Sequence, residues 1–264
     1  MSHSLEFLSG NEAVAQAVRL CRPRVIAAYP ITPQTTVVER LSELVEEGAL
    51  DAQFVHVESE HSALALLMGS AAMGARTFTA TSSQGLLYMA ECLYYASGGR
   101  WPLVMMNANR ALALPWNIYG DQSDSLALVS AGWIQAYAEN AQEALDMIIQ
   151  AYAVAEDPTV RTPVLVNLDG FVLTHTYEAI SVPDAADVRR LPAATGFAGG
   201  ISRHIQFCVT PESCRHSRPR RLHRVQVPAA CGHGARGRCD PRSGHTLPAA
   251  FRAWRDRSDR NLPA

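Results

Sequence analysis

Four residues in this chain carry side chains that could act together on one small molecule: Thr32, Glu60, Gln84 and Arg110. A carboxylate accepts hydrogen bonds and can take or give a proton. A guanidinium offers two parallel donors that match the two oxygens of a carboxylate. A hydroxyl at a helix mouth sits where free N–H groups and the positive end of the dipole favour an anion. Each residue also has an ordinary reading. Glu60 suits a solvated helix start, Arg110 a surface, and Thr32 a plain N-cap. Their positions favour the functional reading, because each lies just past an apolar run that reads as a strand.

The elements follow from the pattern of apolar residues. Val25 to Tyr29 reads as a buried strand, and Pro30 biases Tyr29 to an extended conformation. Thr32 is expected to cap a helix with Pro33 at its first position, and Gly48 to close that helix. Asn11 is expected to cap an earlier helix with the stripe Val14, Ala17, Val18 and Cys21. Phe54–Val57, Thr77–Thr81, Pro102–Asn107, Ile134–Ala138 and Pro163–Leu168 read as strands. Helices are expected over Ser62–Met73, Leu86–Ala96 and Glu143–Ala155. The second of those strands is followed by a turn, Ser82-Ser83-Gln84-Gly85. Residues 108–124 form a long polar-aromatic loop, a length more often functional than idle. Alternating strands and helices predict an α/β fold with a doubly wound, mostly parallel sheet. In such a sheet every strand-to-helix turn opens on the carboxyl edge, where ligands bind. Thr32, Glu60, Ser83–Gln84 and Arg110 would then converge.

Composition adds bounds. The chain has 264 residues, 48% apolar content and a formal net charge of −2, which gives no reason to expect nucleic acid or a membrane surface. No apolar run is long enough to span a bilayer, and the N-terminus lacks a basic-then-apolar leader pattern, so a cytoplasmic location is expected. Neither a G-x-G-x-x-G nor a Walker loop occurs.

Six blocks in order carry a resemblance: Tyr29-Pro30-Ile31-Thr32-Pro33-Gln34-Thr35, Val57-Glu58-Ser59-Glu60-His61-Ser62-Ala63, Thr81-Ser82-Ser83-Gln84-Gly85, Asn109-Arg110-Ala111-Leu112, Gly120-Asp121-Gln122-Ser123-Asp124 and Asp169-Gly170-Phe171. Together they resemble the 2-oxoacid:ferredoxin oxidoreductases, in the N-terminal segment of the pyruvate synthase alpha chain. The resemblance covers residues 6–183 and implies a pyrimidine-binding domain for thiamine diphosphate. By it, Glu60 is the glutamate that hydrogen-bonds a ring nitrogen of the aminopyrimidine, with Glu58 the competing position. It makes Arg110 the binder of the substrate carboxylate and Thr32 a hydrogen-bond partner of substrate or cofactor. Gln84 on the cofactor side and Asn109 on the substrate side would line the pocket. Asp121 and Asp124 are expected to shape the loop rather than do chemistry.

The G-D-G…N signature that grips Mg²⁺ and diphosphate is missing, as is a C-x₂-C-x₂-C run for an iron–sulfur cluster. The resemblance therefore implies that this chain holds only the pyrimidine end of the cofactor and no metal. A beta subunit would hold the diphosphate and Mg²⁺, and further gamma and delta subunits would carry clusters to ferredoxin. The expected reaction is oxidative decarboxylation of pyruvate, or another 2-oxoacid, to its acyl-CoA with coenzyme A. The alternative is a truncated subunit that folds but does not assemble.

Residues 184–264 read differently. Residues 191–264 hold 13 of the 23 arginines, 4 of the 25 acidic residues, four of six cysteines and five of nine histidines, and the chain has no lysine. A basic interaction tail and a Cys/His metal site are both conceivable. The cysteine intervals lack the close pairs of zinc sites. The favoured expectation is out-of-frame sequence from a GC-rich gene, and hence a poorly ordered tail.

Overall fold

The computed structural model describes residues 3–113 and 117–189. The expected tail falls outside those residues, apart from its first few. Six strands form one all-parallel sheet: β2 (Val25–Ala28), β3 (Gln53–His56), β4 (Thr77–Ser82), β5 (Val104–Asn109), β6 (Ile134–Tyr137) and β7 (Val164–Asp169). Their order across the sheet is β3-β2-β4-β5-β7-β6. The connections from β2 to β3 and from β3 to β4 run in opposite directions, so a topological switch point lies between β2 and β4.

Both faces of the sheet are covered. On one, Val14, Ala17 and Val18 of α1 (Gly10–Cys21), Val37 and Leu41 of α2 (Thr35–Glu46) and Leu145 and Ile148 of α7 (Ala141–Glu156) pack on Phe78, Met106 and Val166. On the other, Leu64 and Leu67 of α3 (Glu60–Ala72), Leu86 of α4 (Ser83–Tyr88) and Leu93 of α5 (Ala90–Gly98) pack on Ala27, Met105 and Leu165. Each fully buried Leu, Met or Phe stabilises by about 1.5–3 kcal/mol, so the two layers hold the sheet rigid. At the amino edge Arg76 makes a two-pronged ion pair with Glu156, at 2.6 and 2.5 Å, and lies over the Tyr152 ring.

Several local expectations need correction. Helix α1 is capped by Ser9, whose hydroxyl and the Glu12 carboxylate form a reciprocal capping box; Asn11 lies two residues past the cap, fully buried, and its amide donates to Pro33 O at 2.8 Å. Thr32 caps nothing. The Thr32–Pro33 peptide is cis and α2 starts at Thr35, after Gln34. Helix α3 begins at Glu60, two residues early, with Ser59 as its cap. The Ser83–Gly85 turn is the first turn of α4, and the single helix expected after it is two, broken at Met89. Strands β1 (His3–Ser9) and β8 (Tyr177–Pro183), which pair antiparallel in a small separate sheet, were not expected. Gly48 does follow α2 with φ +72°, as a closing glycine should.

One ionisable group on α7 couples this fold to pH. Burial pushes the Asp146 carboxyl up to about 6, against a smaller opposing hydrogen bond from Gln142. A carboxyl that is harder to ionise when folded favours the fold below its unfolded value, and that advantage fades as pH rises through about 6. Asp146→Asn is therefore expected to raise the unfolding midpoint above pH 7, by about 1–2 kcal/mol, and to leave it unchanged at pH 4. Thermal melts at the two pH values check this.

Candidate functional site

The carboxyl ends of β2, β3, β4 and β5 carry the residues that matter. Strands β2 and β4 pair only at Val25–Thr77 and Ile26–Phe78, then part. Gln34 fills the split. It is fully buried, and its amide nitrogen donates to Tyr29 O at 2.9 Å and Ala80 O at 3.3 Å, joining the two strand ends where backbone pairing has stopped. Its presence in the first sequence block was the only signal for it.

Glu60 stands beside this split. As the first residue of α3, its charge is favoured by the helix N-terminus. The residue is only 7% exposed, and its carboxylate makes no hydrogen bond or ion pair among the described residues, its oxygens keeping contact with solvent. Buried carboxylates are normally paired, so an unpaired one calls for an explanation. Glu58, by contrast, points outward and accepts from the Ser62 hydroxyl at 2.6 Å, which holds its carboxyl below the usual range. Opposite Glu60 lies Gly85. A Cβ there would stand 2.6 Å from Glu60 Oε1 and 2.6 Å from Thr81 Oγ1, so no other residue fits without displacing the carboxylate.

A chain of contacts joins the other candidates to this pair. Next to Gly85, Gln84 Oε1 accepts from Arg110 Nη2 at 3.3 Å and from the Ser83 hydroxyl at 2.6 Å. Arg110 Nη1 donates to the Thr32 carbonyl at 2.6 Å. Burial lowers the Arg110 proton affinity and Asp124 partly restores it; the side chain stays cationic. Thr32, Glu60, Gln84 and Arg110 are thus brought together, as the strand order required. Thr32 contributes its carbonyl to Arg110, and its side chain is exposed.

Asn109 is placed otherwise than expected. Its side chain is 1% exposed and turned inward, donating to Asp124 Oδ1 at 2.7 Å and the Ser125 hydroxyl at 3.0 Å. It supports Arg110 rather than lining an opening. Asp124, fully buried in α6 (Ser123–Leu126), is the hub that sequence reasoning undervalued. Its Oδ2 accepts from Ser83 N, Asn107 Nδ2 and Arg110 N, and its Oδ1 from Asn109 Nδ2 and Ser125 N. It ties the end of β4 to the end of β5, and holds Ser83 in its left-handed conformation, φ +49°.

Residues 16–205 match the family model described as pyruvate flavodoxin/ferredoxin oxidoreductase, thiamine diphosphate-binding. The chain belongs to this oxidoreductase family. Among its relatives, the pyruvate synthase subunit PorA of Methanocaldococcus jannaschii is 57% identical over 185 residues, covering 70% of this chain and 48% of that protein. The ketoisovalerate oxidoreductase subunit VorA of Pyrococcus horikoshii is 50% identical over 175 residues, 66% of this chain and 44% of that one. A solved 2-oxoglutarate:ferredoxin oxidoreductase from Magnetococcus marinus, with 2-oxoglutarate, coenzyme A and succinyl-CoA bound, superposes with a TM-score of 0.63 at 25% identity. That match covers 69% of this chain and 32% of that one. The chain spans about half the length of the curated relatives it matches.

Glu60 is a largely buried residue whose carboxylate receives no hydrogen bond from the described residues. The packing of Gly85 beside it is testable. In this oxidoreductase-family chain Gly85→Ala is expected to destabilise by about 1–3 kcal/mol through overpacking. Gly69→Ala, in α3 with nothing within 4 Å of its added Cβ, is expected to stabilise by about 0.5–1 kcal/mol. Denaturant midpoints of the two variants should move in opposite directions.

Proposed function

We propose that residues 6–183 are the pyrimidine-binding domain of the alpha subunit of a 2-oxoacid:ferredoxin oxidoreductase of the pyruvate synthase type. The observation that carries this is Glu60, largely buried at the carboxyl edge beside Gly85 and the switch point, with a carboxylate that no described residue pairs. Glu60 would hydrogen-bond a ring nitrogen at the pyrimidine end of thiamine diphosphate, a nitrogen that donates to the carboxylate when it carries a proton, as in the imino tautomer. The cofactor, when bound, supplies the electron sink for decarboxylation of the 2-oxoacid. Arg110 spends one donor on the Thr32 carbonyl and one on Gln84, leaving further N–H groups for the substrate carboxylate. Gln84 and the Thr32 carbonyl fix the plane of that guanidinium before substrate arrives, and the Thr32 hydroxyl is exposed beside it. Asn109 acts on this site through Asp124.

A beta subunit holding diphosphate and Mg²⁺, and gamma and delta subunits carrying iron–sulfur clusters to ferredoxin, complete the proposed complex. Exposed apolar side chains on the α3–α5 side, Met73, Tyr88 and Tyr95, support a chain that assembles. Relatives named for pyruvate match at 57% and for ketoisovalerate at 50% identity, which supports a substrate within the class of 2-oxoacids, with pyruvate the first to assay. No helix among the described residues is long and apolar enough to cross a membrane, and we place the complex in the cytoplasm.

The test is co-expression with a beta subunit from the same family, followed by an assay of thiamine-dependent CO₂ release from pyruvate. Co-purification with turnover supports the reading. A folded chain that never associates favours the alternative of a truncated, non-catalytic subunit, for which the half-length match is the motivating observation.

A further inference from the structure

Beside Glu60 lies a fully buried polar group without a partner among the described residues. Thr81 is fully buried near the end of β4, and its hydroxyl makes no hydrogen bond among the described residues. Both groups border the same small space. Thr81 Oγ1 and Glu60 Oε1 each lie 2.6 Å from the point where Gly85 would carry a Cβ, so the two oxygens are close neighbours, within about twice that distance of each other. One is a donor lacking an acceptor, the other an acceptor lacking a donor. Threonine is stiff at χ1, whereas the longer glutamate turns readily, so the carboxylate is the group that moves.

We infer that Thr81 is a positioning residue for Glu60: its hydroxyl donates to one carboxylate oxygen and so aims the other at the ligand. This rests on the role proposed for Glu60 and goes beyond it, because a carboxylate held at one oxygen presents its second in a single orientation. Until the bond forms, the Thr81 hydroxyl is buried and unsatisfied, a state that lowers stability and is tolerated where a site must stay poised. Gly85 completes the device. Any larger residue would drive a methyl group between the two oxygens.

The inference makes stability and function move in opposite directions. Thr81→Val keeps the shape and removes an unsatisfied hydroxyl, so the unfolding midpoint should hold or rise. Loss of a hydrogen bond to a charged group should weaken thiamine diphosphate binding by roughly tenfold to a hundredfold. The full chain, reconstituted with a beta subunit, is titrated with thiamine diphosphate and Mg²⁺, and binding is read from intrinsic fluorescence. The midpoint is measured in parallel. Thr81→Ser, which keeps the hydroxyl, should bind within a few-fold of the parent. Weak binding by the valine variant alone, at an undiminished midpoint, supports the inference. Parental affinity in the valine variant overturns it, provided Glu60→Gln binds weakly. A fall in midpoint shared by the valine and serine variants also overturns it, since the side chain would then be structural. If Glu60→Gln itself binds like the parent, the underlying role of Glu60 has failed, which is a different result.

Discussion

Replacing Glu60 by glutamine is expected to cut thiamine-dependent decarboxylation by roughly a hundredfold to ten-thousandfold, the range of a positioned acid–base group. The fold should not suffer. No described residue hydrogen-bonds the carboxylate, so a neutral amide of the same shape breaks no internal contact at a residue 7% exposed. The unfolding midpoint of Glu60→Gln should therefore equal or exceed that of the parent. Glutamine can still accept through its oxygen, but it lacks the charge that polarises a ring nitrogen. Glu58→Gln provides the comparison. That residue is exposed and bound to Ser62, so its removal should leave turnover within a factor of two or so of the parent. Steady-state assays of the reconstituted complex, with melts of each variant, decide the matter. Equal turnover of Glu60→Gln and parent would take Glu60 out of the mechanism.

The distinction between those two glutamates shows where reading the sequence succeeds. Apolar runs such as Val104-Met105-Met106 and Val164-Leu165-Val166 are buried on both faces and can hardly be anything but central strands. Once they are placed, the alternation with helices forces Glu60, Gln84 and Arg110 to one edge. Contacts that depend on distant parts of the chain were not legible. β1 exposes Leu5 and Phe7 while burying Ser9, and its partner, β8, lies over 160 residues away. No local periodicity announces such a pairing. Thr32 has the right residue type for a cap, but Asn11 reaches from α1 to Pro33 O and the Thr36 hydroxyl, and the turn is shaped by that tertiary contact. Gln34 is a polar residue in a turn by sequence. Only the parting of β2 and β4 makes it a plug.

Asp124→Asn is expected to be the most destabilising change among these, at about 3–5 kcal/mol. Five N–H groups converge on this carboxylate, three on Oδ2 and two on Oδ1. An asparagine presents an NH₂ at one of those positions. Whichever way the amide turns, donors face a donor in a region with no solvent access, and at least two N–H groups lose their acceptor. The damage should reach the site, because the groups released include Ser83 N and Arg110 N, which set where Gln84 and the guanidinium stand. Weaker substrate binding should follow before the chemical step is affected, so KM for the 2-oxoacid should rise more than kcat falls. Asp121→Asn separates this from a general effect of losing an acid in the loop. Asp121 is exposed and among the described residues bonds only the nearby Ser123, so its substitution should move the midpoint by less than about 0.5 kcal/mol. Denaturant titrations of both variants measure the contrast. A small effect of Asp124→Asn would mean that water or a rearranged loop can replace the carboxylate. The two strand ends would then be held by the sheet alone, and Arg110 would need another explanation for its position.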